Sequence, residues 1–477
     1  MLKRTKIVAT LGPACNSADQ LSALVSAGVD VVRLNFSHGK PEEHKQRAHL
    51  IRSIAAQQNK HVAILGDLQG PKIRISQFKD KQVILNQGED FTLDAGMDAT
   101  QGTNKKVGIT YENLIRDCKP GDVLLLDDGR ITMEVKSKEQ SRLHCIVLQG
   151  GTLSDNKGIN LKGGGLSASA LTDKDKEDIK LAVQIGVDYL AISFVRSVDD
   201  INLCRQLLKD ASKEINILTK IERAEVVASQ EKLEAIIKAS DAVMVARGDL
   251  GVEIGDAELV TVQKNTIATA RRLNKPVITA TQMMESMIYN ALPTRAEVFD
   301  VANAILDGTD AVMLSAETAT GNCPHGVVSE MHRIISSTEK QMREVPTLTI
   351  PHLPEVLLTA NDETIAVAAM YAANHLKDVK AIVCLTKTGQ TALWMSRINS
   401  FLPVFAFSRF EQTCRHMTLY RGVYSLKWDV SPDTDEKTRE KVISDYLTSA
   451  GFKKNDKIIL TFGGRHQSTN TLKIMIL

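Results

Sequence analysis

The chain has 477 residues, about three times a typical domain, so two to four domains are expected. Lys plus Arg total 59 against 57 Asp plus Glu, and the formal charge of +2 argues against a polybasic nucleic-acid binder or an acidic disordered tail. Hydrophobic residues make up 43 % but aromatics only 4 %, which predicts packed cores of Val, Ile, Leu and Ala, and no apolar run is long enough to span a membrane.

The amino terminus, Met1 to Gly12, is basic at first, but its apolar stretch is too short for a signal peptide and reads as a strand. Short β-branched apolar runs then recur at Thr5–Gly12, Val29–Ser37, His61–Leu68, Val187–Phe194, Ile215–Glu222, Ala242–Leu250, Pro276–Met283 and Asp310–Glu317. Helical patterns lie between them: a Ser-capped segment from Ser17, Pro41–Gln58 with Pro in its first turn, Ala224–Ala239, Leu259–Asn274 and Thr294–Asp307. Continuous apolar strands alternating with helices predict a parallel sheet covered on its outer face, and eight strands are the number that closes a (β/α)₈ TIM barrel. An open doubly wound sheet is the alternative.

Strands three and four are separated by far more chain than a helical crossover needs. The interval is rich in Gly, Asp and Thr, with short alternating strands at Phe91–Asp94, Val123–Leu126 and Leu143–Leu148, and reads as a small β-barrel lid domain inserted at residues 70–169. Its return, Lys157 to Gly165, is glycine-rich enough for a hinge, and a capped helix from Thr172 resumes the barrel. The barrel is therefore expected at 1–69 and 170–345. Three prolines between Val345 and Pro354 mark a linker to a carboxyl-terminal α/β regulatory domain at 346–477. That domain is expected to hold a helix at Thr364–Leu376 and strands at Ala381–Leu385, Pro403–Phe407, Gly422–Leu426, Lys457–Thr461 and Thr471–Leu477. The seven cysteines are scattered without a C-x-x-C pair, which suggests reduced, mostly buried thiols in the cytosol. His44 and His49 do not share a helix face and there is no H-E-x-x-H, so zinc is not expected.

Polar residues collect where these strands end, which in a barrel is the functional face. Arg33 to His38, Asp67 to Arg74, Lys220 to Glu222, Arg247 to Asp249, Thr281 with Gln282, and Ser315 to Glu317 all take this register. Charges ending apolar strands are costly unless paired or liganded. Glu222 and Asp249 end neighbouring strands, so their carboxylates can converge on one cation. Few ligands, all oxygen, suit a Mg²⁺ that keeps water or substrate oxygens. A structural pair holding Arg223 or Arg247 is the alternative. Arg33, Arg74 and Lys220 add the positive charge that a phosphorylated substrate requires. No P-loop and no Rossmann glycine fingerprint occurs, which disfavours those enzyme classes.

The runs Thr5-Lys-Ile-Val-Ala-Thr-Leu-Gly-Pro13, Arg33-Leu-Asn-Phe-Ser-His-Gly39, Leu218-Thr-Lys-Ile-Glu222, Met244-Val-Ala-Arg-Gly-Asp-Leu-Gly251, Ala280-Thr-Gln-Met283 and Met313-Leu-Ser-Ala-Glu-Thr318 closely resemble pyruvate kinase. The resemblance covers the whole chain and is to the bacterial type, without the extra amino-terminal segment of animal members. It implies a cytoplasmic homotetramer that transfers the phosphoryl group of phosphoenolpyruvate to ADP, giving pyruvate and ATP, the last step of glycolysis. It places the substrate phosphate near Arg33 and Lys220, and the carboxylate against Thr281 and the backbone N–H groups of Gly248 and Asp249. Mg²⁺, with Mn²⁺ as a substitute, would sit on Glu222 and Asp249. ADP, with a second Mg²⁺, would meet Asn35, His38, Arg74 and Lys157. Lys220 would stabilise the transferring phosphoryl group, and Thr281 or Ser315, through water, would serve the protonation of the enolate. Closure of the lid would exclude water.

One departure from the family pattern concerns the monovalent cation. K⁺-dependent members carry Asn, Ser, Asp and Thr ligands with a nearby Glu in a Gly-Pro-Glu-Ile-Arg segment. Asn35, Ser37 and Asp67 stand here, but Leu68 replaces Thr and Lys72 replaces Glu. An ammonium at Lys72 would replace the ion's charge, so activity without K⁺ is expected; a solvated Lys72 with K⁺ still bound is the alternative. In the last domain Thr386, Lys387, Thr388, Gly389, Gln390 and Thr391 follow a strand and open a helix, a place to cradle a phosphorylated effector. The resemblance closes it with a loop at Phe462–Asn470 and leaves fructose 1,6-bisphosphate, a sugar monophosphate and AMP open; a cap without a ligand is the plain alternative. The rival functions are a Mg²⁺-dependent barrel lyase or aldolase acting on a pyruvate enolate, and a non-enzymatic metabolite sensor. The lyase would not need Lys220 or a lid, and the sensor would not keep Lys220, Glu222 and Asp249 together.

Overall fold

The strand expected at the amino terminus forms as β1 (Lys6–Leu11), and all six of its residues are buried. The same holds for β3 (Ala63–Asp67), and β2 (Val31–Asn35) is buried at three of its five positions. Burial on both faces explains why these strands read as continuous apolar runs and not as alternating ones. The computed structural model describes residues 2–344, 358–430, 434–463 and 468–477. The expected linker from Val345 to Pro354 and part of the loop Phe462–Asn470 lie outside them.

The chain next leaves the barrel for an all-β excursion of β4 (Gln82–Leu85), β5 (Asp90–Asp94), β6 (Lys106–Gly108), β7 (Val123–Leu126), β8 (Ile131–Glu139), β9 (Arg142–Gln149), β10 (Gly151–Ser154) and β11 (Ile159–Leu161). Six of these form a sheet in the order β11-β7-β8-β9-β5-β6, and β10 pairs with β4. Their inward residues, among them Phe91, Leu93, Leu124, Met133, Leu143 and Val147, pack into one core. The barrel resumes with β12 (Tyr189–Ile192), β13 (Asn216–Ile221), β14 (Ala242–Ala246), β15 (Val277–Ala280) and β16 (Ala311–Leu314). The eight barrel strands close in the order β1-β16-β15-β14-β13-β12-β3-β2, so the fold is the closed barrel and not the open sheet.

The chain divides into two compact units: Met1–Gly66 with Gln184–Leu190 and Ala270–Leu477, and Asp67–Val183 with Ala191–Thr269. In the first, β1 runs parallel to β16 and β2, with Val8 opposite Met313 and Val31. The helix Ala18–Ala27 starts where the Ser17 hydroxyl accepts from the Gln20 N–H, and ends on Gly28 in the left-handed region. The same unit carries β17 (Val379–Leu385), β18 (Val404–Ser408), β19 (Val423–Lys427), β20 (Lys457–Phe462) and β21 (Thr471–Ile476), a sheet ordered β19-β18-β17-β20-β21 in which only β21 is antiparallel. Asp310, fully buried before β16, binds that carboxyl-terminal region through the Arg397 guanidinium and the Arg421 backbone N–H.

In the second unit β13 and β14 pair in parallel, with Lys220 opposite Met244. Three expected spans need correction here. The run Ala242–Leu250 is a strand only to Ala246, because Arg247–Ile254 turns at once into a helix. The segment Ala224–Ala239 is two helices, Ala224–Val227 and Gln230–Ala239, the second restarted by the Ser229 hydroxyl accepting from the Lys232 N–H. The hinge Lys157–Gly165 is shorter than expected, since β11 occupies its middle and leaves Lys162–Gly165 as the irregular part.

Candidate active site

Lys220 and Glu222 are two residues apart on extended chain, so their side chains project to the same side. The Lys220 Nζ lies 2.7 Å from Glu222 Oε1 and 3.6 Å from Asp67 Oδ1, and donates to Ser193 Oγ at 2.8 Å. Asp67 and Glu222 are each only 1 % exposed, so the ammonium is the counter-charge for two desolvated carboxylates. The second Glu222 oxygen accepts the Phe194 N–H at 2.8 Å, and Phe194 adopts a left-handed φ of 55° that is unusual for its type. Burial holds the Glu222 carboxyl above the usual carboxylate range; the adjacent Lys220 opposes this and the Asp249 charge adds to it. Ser193 and Phe194 were missed by sequence reasoning, because the end of the fourth strand carries no charge to mark it. Ser193 in turn donates to the Leu68 carbonyl at 2.8 Å.

Asp249 does not end a strand. It sits in the first turn of the helix Arg247–Ile254, as does Gly248, where backbone N–H groups point out of the helix end. Arg223 does not hold the Glu222 and Asp249 carboxylates in a structural pair; its partners are Glu225 and Glu253. Arg247 donates weakly to Gln263. Burial pushes the Glu253 carboxyl up to about 7, against the pull of Arg223 and the Ala224 N–H.

Two expected nucleotide residues come together in the β excursion. Arg74 bridges to Gly158, next to Lys157, and its guanidinium donates to the Asn156 carbonyl at 2.8 Å. Lys157 is held by Asp127, 2.7 Å away. Lys72 is exposed and lines a cavity with Asn160, Phe194, Arg223, Asp249 and Glu253.

The other unit holds the remaining residues. Arg33, on β2, donates to the Thr10 hydroxyl at 3.1 Å, and Thr10 donates to the Leu314 carbonyl. Thr281 and Gln282 follow β15 with φ of 66° and 54°, a costly conformation for a β-branched residue and one that marks functional loops. The Thr281 hydroxyl donates to the Ala280 carbonyl at 2.6 Å. Glu317, 2 % exposed, accepts the Ser315 N–H at 2.6 Å and the Met284 N–H at 3.2 Å, tying the loops after β15 and β16 together. Asn35 Oδ1 accepts the Ser37 N–H at 3.1 Å, and His38 is exposed. In the carboxyl-terminal sheet Gly389 (φ 85°) donates to the Thr386 hydroxyl, and Thr391 meets the Thr469 hydroxyl at 2.8 Å.

The family description "Pyruvate kinase, barrel domain" matches residues 2–328, and "Pyruvate kinase, alpha/beta domain" matches 363–475. The chain is 53 % identical to pyruvate kinase II of Salmonella typhimurium, over 99 % of this chain and 98 % of that protein. It is 51 % identical to a pyruvate kinase of Haemophilus influenzae, over 100 % and 99 %. A crystal structure of a pyruvate kinase from Cryptosporidium parvum superposes with a TM-score of 0.90 at 32 % identity, covering 99 % of this chain and 96 % of that one. The chain belongs to the pyruvate kinase family.

Proposed function

We propose how this chain carries out the family's reaction, transfer of the phosphoryl group from phosphoenolpyruvate to ADP, with Lys220 at its centre. The observation that carries the reading is the Lys220 ammonium set between Glu222, Asp67 and Ser193 at the end of β13. It is a fixed, desolvated cation suited to stabilising negative charge on a transferring phosphoryl group. Arg33 supplies the second cationic contact to the phosphate. Thr281 and the N–H groups of Gly248 and Asp249 hold the substrate carboxylate. After transfer the enolate is protonated at carbon through water ordered by Thr281 or Ser315. Arg74 and Lys157, adjacent in the β excursion, bind ADP phosphates, with Asn35 and His38 completing the nucleotide site.

Mg²⁺ fits the donor set: burial and the facing Asp249 charge both disfavour ionised Glu222, a penalty that a divalent cation relieves. Two carboxylates are few ligands, all oxygen, and would leave positions for substrate and water oxygens. When bound, the ion supplies Lewis-acid polarisation and orientation of the substrate. Lys72 takes the charge role of the K⁺ that Asn35, Ser37 and Asp67 would otherwise hold. Residues 1–69 and 170–345 act as the catalytic barrel, 70–169 as its lid, and 346–477 as a regulatory region that takes a phosphorylated effector at Thr386–Thr391. Among the described residues no helix is long and apolar enough to cross a membrane. The family supports a cytoplasmic homotetramer.

The test is ATP formation from phosphoenolpyruvate and ADP by the purified chain, with Mg²⁺ and after its chelation. Activity should vanish on chelation, and Lys220→Met should lose about 10²–10³-fold in kcat, the scale of one lost transition-state contact. Near-full turnover in Lys220→Met would remove the lysine from this role.

A further inference from the structure

The return from the β excursion crosses Lys162, Gly163, Gly164, Gly165 and Leu166, and three successive glycines there have positive φ: 84°, 79° and 103°. Such a stretch is free to take many conformations unless something holds it. Six contacts do so. The Gly163 N–H donates to the Glu253 carbonyl at 3.0 Å, and the Gly165 N–H to Glu225 Oε2 at 2.8 Å. Arg223 Nη2 donates to the Leu166 carbonyl and to Glu225 Oε2, each at 3.3 Å. Arg223 Nε lies 3.4 Å from Glu253 Oε1, and Glu253 Oε2 accepts the Ala224 N–H at 2.8 Å.

Arg223 and Glu253 are 3 % and 2 % exposed, a burial that is costly unless the two groups are paired and hydrogen-bonded, as they are here. Close approach makes the same point. A Cβ on Gly164 would lie 2.4 Å from Glu225 Oε2, whereas one on Gly163 would meet nothing within 4 Å. Arg223 directly follows Glu222, and Glu253 lies one helical turn beyond Asp249.

We propose that Arg223, Glu225 and Glu253 form a clasp that fastens the return segment 162–166 to the chain just after Glu222 and to the helix that carries Asp249. They are positioning residues for the lid, not ligands. The glycines allow the segment to bend, and the clasp selects the bend at which Arg74 and Lys157 are presented. The effect on nucleotide rests on the proposed placement of ADP against those two residues; the clasp itself does not.

Limited trypsinolysis of the full chain reads the clasp directly, because Lys162 is exposed in the segment that it holds. Cleavage after Lys162 should quicken about tenfold in Arg223→Met, the scale of one lost charge-assisted hydrogen bond. Arg223→Lys, which keeps the charge but not the three-way fork, should fall between Arg223→Met and the unaltered chain. Gly164→Ala should quicken cleavage more than Gly163→Ala. Both carry the same penalty for positive φ, but only the first pushes into Glu225. In steady-state assays Arg223→Met and Gly164→Ala should raise KM for ADP about tenfold while KM for phosphoenolpyruvate stays near its starting value, a split that a merely stabilising role would not produce. Unchanged cleavage in Arg223→Met, or equal cleavage in the two alanine variants, overturns the clasp. Faster cleavage with an unchanged KM for ADP upholds the clasp and overturns the placement of ADP on the lid.

Discussion

Lys220 and Lys72 show how differently one residue type is used. Lys220 is mostly buried between two carboxylates and a hydroxyl, which fixes its ammonium in place, whereas Lys72 is exposed, with its stem near Gly158. A fixed ammonium can meet charge that develops during transfer. An exposed one on a flexible stem offers charge without tight geometry, which is all that substitution for a monovalent cation demands. Full activity is therefore expected in tetramethylammonium buffers without K⁺. Lys72→Glu should be nearly inactive there and recover as K⁺ is added. A steep K⁺ requirement in the unaltered chain would show that Lys72 does not replace the ion. The substitution was legible in the sequence because it breaks a familiar segment, whereas Ser193 and Phe194 were not. Their contribution is a hydroxyl and a backbone N–H in an unusual φ, and neither leaves a mark in residue type.

At the scale of elements, the informative difference is the one after β14. The run Ala242–Leu250 reads as one strand from its apolar start, with Arg247 to Asp249 taken as its polar end. The chain turns helical at Arg247 all the same. Tertiary context overrides propensity, and the gain is a helix start at Gly248 and Asp249. The same turn carries Glu253 into the interior, where burial pushes its carboxyl up to about 7 from 4.5. Below the unfolded value both states hold the proton and the stability is complete. As pH rises to the folded value the unfolded chain releases the proton first, and native stability falls by roughly 3 kcal/mol across that window. Glu253→Gln keeps an acceptor for the Ala224 N–H and has no proton to lose. Calorimetry from pH 5 to pH 8 should therefore show its apparent Tm gaining on that of the unaltered chain up to about pH 7 and levelling off above it. Parallel curves would place the Glu253 titration outside that range.

Over the whole molecule the barrel was the most legible feature, since eight strands buried on both faces leave eight unbroken apolar runs. What ties the barrel strands of the first unit to its carboxyl-terminal sheet was not legible, because it depends on residues far apart in sequence meeting at one carboxylate. Asp310 accepts from Arg397 Nη1 at 2.9 Å, from the Val277 N–H at 3.0 Å and from the Arg421 N–H at 3.1 Å. Arg271 donates to the Arg397 carbonyl at 2.8 Å, and Arg421 to the Ile305 carbonyl at 2.9 Å. Burial, then the charges of Arg397 and Arg421, push the Arg271 guanidinium down to about 9, and Asp310 is the anion that opposes this shift. The two halves of the Asp310–Arg397 pair are therefore unequal. Removing one partner of a buried pair costs about 3–5 kcal/mol. Arg397→Met should fall at the lower end, because Asp310 keeps its backbone donors and Arg271 loses a repelling neighbour. Asp310→Asn removes the charge that pairs with Arg397 and opposes the lowering of Arg271, and leaves an amide facing a guanidinium. Its apparent Tm should drop further than that of Arg397→Met, with the carboxyl-terminal sheet becoming the first region cut by protease. The reverse order would mean that Arg397 and Arg271 do not depend on the Asp310 charge.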